Sequence, residues 1–393
     1  MQDFFAAASG FRDGMVADRR HLHRNPEVGR DLPETVRFVM SRLRDVGLDP
    51  REAGPGGVVA SVGRRGGRVF LIRADMDALP MREESGLPFA SVTDAAHTCG
   101  HDLHTAMLLG AARLLKACEE ELQGEVRLVF QPDEEGLTGA AAMIDAGVLD
   151  DPPVDAAMGM HVLAGDAAVG SFGITSGPVM ASSDRFRITV SGTGGHGAMP
   201  HLAVDPIQAG VHIHLGLQGI VARENDTQNP LVITVGSFQA GTAANVIPET
   251  AVLLGTVRAL DPAVRAFGCR RVEEVAQAGA AVFRTRCRVE WMSGTPPVVN
   301  NPELVREASG WIAPFARGIA PMPPMMGSED FALYTGKVPG VYLFLGAGEV
   351  REGEGGRGAL AHHPRVRFSE DALPFGAAAM AACAAGWLEA HGG

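Results

Sequence analysis

An α/β protein carrying an inserted α+β module is the fold the sequence predicts, and three observations predict it. β-Rich runs alternate with helical periodicity through residues 57–161, the pattern of a largely parallel sheet flanked by helices. The order changes to β-α-β-β-α-β between residues 184 and 292, which is that of a ferredoxin-like module. After Pro296-Pro297 the α/β pattern resumes, with a strand at 341–348 and a small-residue helix at the end. The expected organisation is a split domain of residues 1–182 and 294–393, interrupted by an insert of residues 183–293. A chain of 393 residues has room for two or three domains.

Residues 11–47 read as helical, with a break at Asn25-Pro26 and a restart after Pro33, since the residue before a proline is steered out of the helical region. Runs 57–63 and 68–74 are β-rich and joined by a glycine-rich turn, which reads as a hairpin. A helix is expected from about Asp102 to Cys118, with Asp102 as N-cap and Leu103, Met107, Leu108, Ala111 and Leu115 near helical spacing. A strand at 125–131, a small-residue helix at 139–145 and a strand at 155–161 follow. The insert reads as a strand at 184–194, a helix near 205–222, the strands LVITVGSFQAG and TAVLLGTVRAL, a helix near 262–281 and the strand CRVEWM. The low-complexity stretch 348–359 reads as a mobile loop.

Composition excludes several classes. The formal net charge of −12 argues against a general nucleic-acid or anionic-membrane binder. Apolar residues at 46% exclude intrinsic disorder. The start of the chain has no basic segment and no run of 18 apolar residues exists, so neither a secretory signal nor a membrane span is expected. The five cysteines are odd in number and far apart, which is not a disulfide framework, and a cytoplasmic location is the expectation.

The chemistry-bearing residues sit at strand ends. Cys99 and His101, two apart before a helix, can face one ion, and thiolate and imidazole suit Zn²⁺ and other borderline metals. Glu134 and Glu135 directly follow a buried strand, where one acid can ligate and the other take a proton from a metal-activated water. His161 ends another strand, His362 lies in LAHHPRVRF, and Asp75 and Asp77 close the strand RVFLIRAD. Each alone has a bland reading as a packed or solvated side chain, as His97 and His104 have. Together they cluster, because strands of an open α/β sheet share one carboxyl edge. Cys99, His101, Glu135, His161 and His362 make five ligands, too many for one tetrahedral zinc and suited to two ions. Gly192, Gly194 and Gly197 match G-x-G-x-x-G, but Pro200 and a further loop separate them from the next helix, so a dinucleotide enzyme is disfavoured. No G-x-S-x-G elbow of a serine hydrolase occurs.

The sequence resembles the aminoacylase/hippurate hydrolase family of metal-dependent N-acyl-amino-acid amidohydrolases, related to the di-zinc exopeptidases. The resemblance runs through HLHRNPEVG, RADMDALP, CGHDLHTAMLLGAA, FQPDEEG, GMH, MASSDRFRITVSGTGGHGAMPHLAVDP, ANVIPETAVLLGTVRAL, GSEDF and AHHPRVRFSEDALPFGAA. It implies a zinc-exopeptidase-like catalytic domain and an inserted lid and dimerisation domain. It implies Cys99, His101, Glu135, His161 and His362 as ligands of two divalent ions, zinc or manganese, with cobalt or nickel also open. Glu134 would be the general base, and Asp77 would orient the ligands. His362 rather than His363 fits the pattern His, any residue, Pro. His196 resembles a histidine that reaches the partner subunit's site to stabilise the oxyanion, and Asn245 and Arg258 resemble residues that hold a substrate carboxylate. The implied substrate is a small N-acyl amino acid, cut to a carboxylic acid and a free amino acid, and the implied assembly is a homodimer or homotetramer. A dipeptide-cutting exopeptidase on the same scaffold is the alternative. The loop reads PDEEG where many members have PAEEG.

Overall fold

The computed structural model describes residues 3–349 and 359–392, so most of the expected mobile loop at 348–359 lies outside the described residues. The chain begins with α1 (Phe4–Gly10), α2 (Arg12–Arg24), α3 (Pro33–Asp45), β1 (Arg51–Glu52), β2 (Val58–Gly63) and β3 (Arg68–Asp75). It continues with α4 (His101–Ala117), β4 (Gly124–Gln131), α5 (Gly139–Asp145), β5 (Ala156–Leu163), β6 (Ser171–Gly173) and β7 (Gly177–Met180). Next come β8 (Ser183–Ser191), β9 (Gly195–His196), α6 (Pro206–Gly219), β10 (Leu231–Ala240), β11 (Val246–Ile247) and β12 (Thr250–Ala259). Then follow α7 (Pro262–Val282), β13 (Arg286–Thr295), β14 (Val298–Asn300), α8 (Pro302–Ile312) and β15 (Gly318–Ala320). The last are α9 (Ala332–Thr335), β16 (Gly340–Gly346) and α10 (Leu373–His391). Two compact units result. The first takes the chain up to Gly177, Val299–Pro323 and everything from Asp330, and the second takes Pro178–Val298 and Pro324–Glu329.

The first unit is built on an eight-stranded mixed sheet of order β1-β2-β4-β3-β5-β16-β6-β15. Its centre, β4-β3-β5-β16, is parallel, so the carboxyl ends of these four strands lie along one edge. β2 and β3 are strands as expected but not a hairpin, because β4 lies between them, antiparallel to β2 and parallel to β3. All eight residues of β4 are buried, so its backbone groups need a partner strand on each side. The glycine-rich turn wraps around the start of β4. A Cβ on Gly63, whose φ is +101°, would meet the Gly124 carbonyl at 2.3 Å.

Helix α4 starts at His101, and its N-cap is Gly100 in the left-handed region, not Asp102 as expected. A Cβ on Gly100 would strike Val162 at 2.5 Å, so only glycine fits this turn. The Asp102 carboxylate is turned away from the helix start and accepts Arg19 Nε and His23 Nδ1, both at 2.8 Å. A guanidinium and an imidazolium hold a buried carboxylate more strongly than a backbone N–H does. Helix α10 is long and apolar enough to cross a membrane, yet 89% of its most apolar window is buried inside the unit. Its small residues allow that packing, since a Cβ on Gly376 would sit 1.8 Å from Met107 Sδ of α4.

The contacts of His23 have a measurable consequence. Burial alone would lower its pKa, but Asp102 and Glu83 outweigh burial and raise it from 6.5 to about 9. A raised folded-state pKa means stability that is fully present below pH 6.5 and lost as pH climbs through 9. The stability advantage of wild type over the non-titrating variant His23→Asn is therefore expected to shrink with rising pH, by up to about 3 kcal/mol between pH 6 and 10. Thermal midpoints of both proteins across that range check it, and an advantage that widens with pH contradicts it.

The second unit has the β-α-β-β-α-β order expected of the insert. Its antiparallel sheet runs β10-β12-β8-β13, with the module's second and fourth strands outside its third and first, as in ferredoxin-like modules. Phe186, Ile188 and Val190 of β8 alternate inward with Leu253 and Val257 of β12 against Ile213, Leu217, Val272 and Ala276 of the helices. Both helices open with Asp-Pro. Asp205 accepts from Ile207 N and Gln208 N, Asp261 accepts from Ala263 N and Val264 N, and each proline occupies the first helical turn. The segment 324–329 joins this unit through Ala181 N, which donates to the carbonyls of Met325 at 3.0 Å and Gly327 at 2.8 Å. The glycines 192–197 do not lead into a helix. Thr193 bridges Val204, and α6 begins only at Pro206, so no dinucleotide-binding turn forms.

Candidate metal centre

The carboxyl edge of the parallel strands gathers the expected ligands of the first unit. His101 opens α4 and is fully buried. Its Nδ1 lies 2.8 Å from the carbonyl of Asp77, just past β3. A carbonyl only accepts, so Nδ1 carries a hydrogen; burial opposes charge on the ring, but Asp75 outweighs it and raises the His101 pKa well above 6.5, so a cation binding at Nε2 would displace a proton there. That Nε2 is buried with no hydrogen-bond partner. His161, near the end of β5, repeats the arrangement. Its Nδ1 donates to the Val162 carbonyl at 2.7 Å, and Nε2 faces Cys99 Sγ at 3.2 Å. His362 Nε2 lies 3.3 Å from the same sulfur and 3.2 Å from Glu135 Oε1. His363 stays outside, with its Nδ1 accepting from Arg365 N at 3.1 Å.

Three overlapping sets, Cys99/His101/His161, Cys99/Glu135/His362 and His101/Glu134/Glu135, each have ligand atoms within 4.8 Å of one another. Cys99, His101 and Glu135 each belong to two of them, so the three sets form one continuous cluster. Thiolate, imidazole and carboxylate are the donors of zinc and related divalent metals, and a buried imidazole nitrogen lacking a partner is what a cation satisfies. The residues present fit such ions.

Asp77 holds the acidic loop in place. Its Oδ1 accepts Glu134 N at 3.0 Å and its Oδ2 accepts Glu135 N at 3.2 Å, while its own carbonyl fixes the His101 ring. The loop turns at Asp133, whose φ of 53° is one that aspartate tolerates. Arg30 Nε at 3.1 Å and the Thr138 hydroxyl hold the Asp133 carboxylate, so the aspartate of PDEEG is built into the turn.

Burial sets much of the electrostatics. It pushes the Cys99 thiol up to about 12 and the His161 ring down to about 3. Burial would also raise Glu135, but His362 and His101 outweigh it and hold the carboxylate below its usual range. Glu135 in turn raises His362. A cation held by Cys99 would displace the thiol proton, and its binding would then strengthen with pH.

Sequence reasoning passed over the layer beneath. His104 Nε2 accepts the Val162 backbone N–H at 2.9 Å, and its Nδ1 donates to Asp75 Oδ1 at 2.5 Å. Asp75 also pairs with Arg73 at 2.6 Å, and Arg73 reaches Asp330 at 2.8 Å. Arginine in the middle of the fully apolar run VFLI-R-A was the available signal, because a charge buried in a central strand requires a partner.

The second unit positions the remaining expected residues. His196 on β9 pairs with Val246 of β11, and Gly197 N donates to the carbonyl of Asn245 at 2.8 Å, so His196 and Asn245 are neighbours. Both are exposed. Arg258 on β12 is partly buried, and its Nη1 donates to the Met326 carbonyl at 3.1 Å.

An α/β sheet edge that gathers two imidazoles turned Nε2-first, a sulfur lying between His161 and His362, and paired carboxylates defines a metal-dependent hydrolase. The chain belongs to peptidase family M20/M25/M40, whose family model matches residues 71–385. It is 39% identical to the N-acetyl-L-cysteine deacetylase of Bacillus subtilis, over 91% of this chain and 84% of that protein. It is 41% identical to the N-acyl-L-amino acid amidohydrolase of Geobacillus stearothermophilus, over 74% of this chain and 78% of that one. Among solved structures it is similar to the YXEP protein of Bacillus subtilis, a dinuclear metal binding peptidase of the M20 family. The TM-score is 0.84 and the identity 35%, over 97% of this chain and 99% of that one.

Proposed function

We propose that the protein hydrolyses the amide bond of small N-acyl amino acids, releasing a carboxylic acid and a free amino acid. The observation that carries the reading is the convergence of Cys99, His101, Glu135, His161 and His362 beside Glu134 at one sheet edge. These five residues would hold two divalent ions, zinc or manganese by donor type, with cobalt or nickel as further candidates. Bound there, the ions would supply Lewis acidity to a water and to the amide carbonyl.

The chain's own groups do the rest. Glu134, buried and fixed through its backbone by Asp77, takes the proton of the attacking water and passes it to the leaving nitrogen. Asp77 keeps His101 and the two glutamates in register. His196 stabilises the developing oxyanion, and Arg258 with Asn245 grips the substrate carboxylate, for which a planar guanidinium is suited. In this reading residues 183–293 act as a lid and as the contact between copies, giving a homodimer or homotetramer. All five cysteines are free, which supports a reducing, cytoplasmic setting.

The test is amine release from N-acetyl- and N-benzoyl-amino acids and from dipeptides, using protein stripped by a chelator and then given Mn²⁺ or Zn²⁺. Stripped protein is expected to be inactive, and metal is expected to restore cleavage of acyl amino acids ahead of dipeptides. Faster dipeptide cleavage assigns the exopeptidase reading instead. No cleavage of any substrate with both ions bound refutes hydrolysis.

A further inference from the structure

Asp102 directly follows His101 yet takes no place among the candidate ligands. Fully buried, it receives Arg19 Nε and His23 Nδ1 on one oxygen, both at 2.8 Å. The opposite nitrogen of His23 lies 3.0 Å from Glu83 Oε1, and Glu83 Oε2 accepts the Ser91 backbone N–H at 2.7 Å. Arg19 Nη1 reaches Glu370 Oε1 at 3.2 Å. One connected set therefore ties α2, the loop before α4, the first turn of α4 and the turn before α10. His23 comes from the HLHRNPEVG stretch, which amide hydrolysis itself does not use.

Although the charged His23 contributes stability below pH 9, the cluster also carries unmet polar atoms. Arg19 Nη2 and Asp102 Oδ1 are buried without hydrogen-bond partners. So are both ring nitrogens of His97, whose ring centroid is 6.4 Å from that of His23. Unmet polar atoms among buried charges offset part of what their ion pairs contribute, and fixing geometry is a second use that such clusters serve. The constraint lands on the turn that carries two ligands. Asp102 shares its backbone with Cys99-Gly100-His101, and Gly100 takes a φ of 95° that no packing of its own side chain supports.

We propose that Arg19 and His23 are positioning residues of the metal centre, acting through Asp102 to hold the Cys99–His101 turn in ligand geometry. The inference rests on the metal-site reading above. Two variants separate the contacts of His23. Asparagine places its amide nitrogen near the position of Nδ1, so His23→Asn keeps the bond to Asp102 and loses Glu83. Glutamine mimics Nε2, so His23→Gln keeps Glu83 and loses Asp102.

The measurement is titration of the metal-stripped, full-length protein with Co²⁺, read by its ligand-field and thiolate charge-transfer absorption, with thermal midpoints recorded beside it. His23→Gln is expected to weaken Co²⁺ binding about 10–100-fold, while His23→Asn stays within about threefold of wild type. Equal affinities in both variants overturn the proposal, even where their thermal midpoints fall. Wild-type protein that binds no Co²⁺ refutes the metal site itself, whereas wild-type binding with indifferent variants refutes only the positioning role. If His23→Gln does not fold, Arg19→Lys against Glu83→Gln makes the same comparison, and only the first is expected to lose affinity.

Discussion

Glu134→Gln is expected to bind two metal ions per chain as wild type does and to lose turnover by a factor on the order of 10²–10⁴. The amide is nearly isosteric and leaves the Glu134 backbone N–H on Asp77 at 3.0 Å, so the loop keeps its place. What it loses is a group able to take a proton from water and return it to the leaving nitrogen. The loss should fall on kcat, since the proton moves only in the transition state and binding of the acyl amino acid is untouched. Metal analysis of the purified variant, followed by steady-state rates under saturating metal, tests both halves. Turnover near wild type would remove Glu134 from the mechanism, and loss of metal would make it a ligand.

Cys99→Ser should have the second large effect, on occupancy and not on proton transfer. Cys99 Sγ lies 3.2 Å from His161 Nε2 and 3.3 Å from His362 Nε2, so in the proposed centre its thiolate would ligate beside both imidazoles. A serine hydroxyl is smaller, harder and far less acidic than a thiol. Outer partners of metal ligands are worth 10–100-fold in affinity, so losing a proposed ligand itself should cost at least roughly 100-fold. Competition with a chromophoric chelator measures this. Retention of two tightly bound ions in Cys99→Ser would show that the imidazoles and carboxylates suffice.

Much of the architecture was legible because local rules produced it. Proline breaks, Asp-Pro helix starts and alternating apolar runs located nearly every long element, and the β-α-β-β-α-β order of the second unit matched its sheet. The clustering of the candidate ligand residues was legible for a related reason. Parallel strands bring their carboxyl ends to one edge wherever they fall in sequence, so strand ends pointed to Glu135 and His161, whereas Cys99 and His101 were picked out by their spacing just before a helix.

The amino-acid sequence by itself determined the elements, the donor types and the acidic pair that follows β4. Tertiary structure alone decided which strands are neighbours, and it placed β4 between β2 and β3 against the local turn signal, because a strand buried along its whole length requires pairing at both edges. It decided that Asp102 leaves the helix cap to Gly100 and turns to Arg19 and His23, partners 83 and 79 residues away. For His362 it agreed with the sequence pattern, bringing His362 to Cys99 and leaving His363 to its own turn. In the first two cases the competing local choice satisfied one backbone group, whereas the long-range choice satisfied a buried charge or a whole strand. Contacts of that kind depend on which segments meet, and short-range pattern carries no record of it.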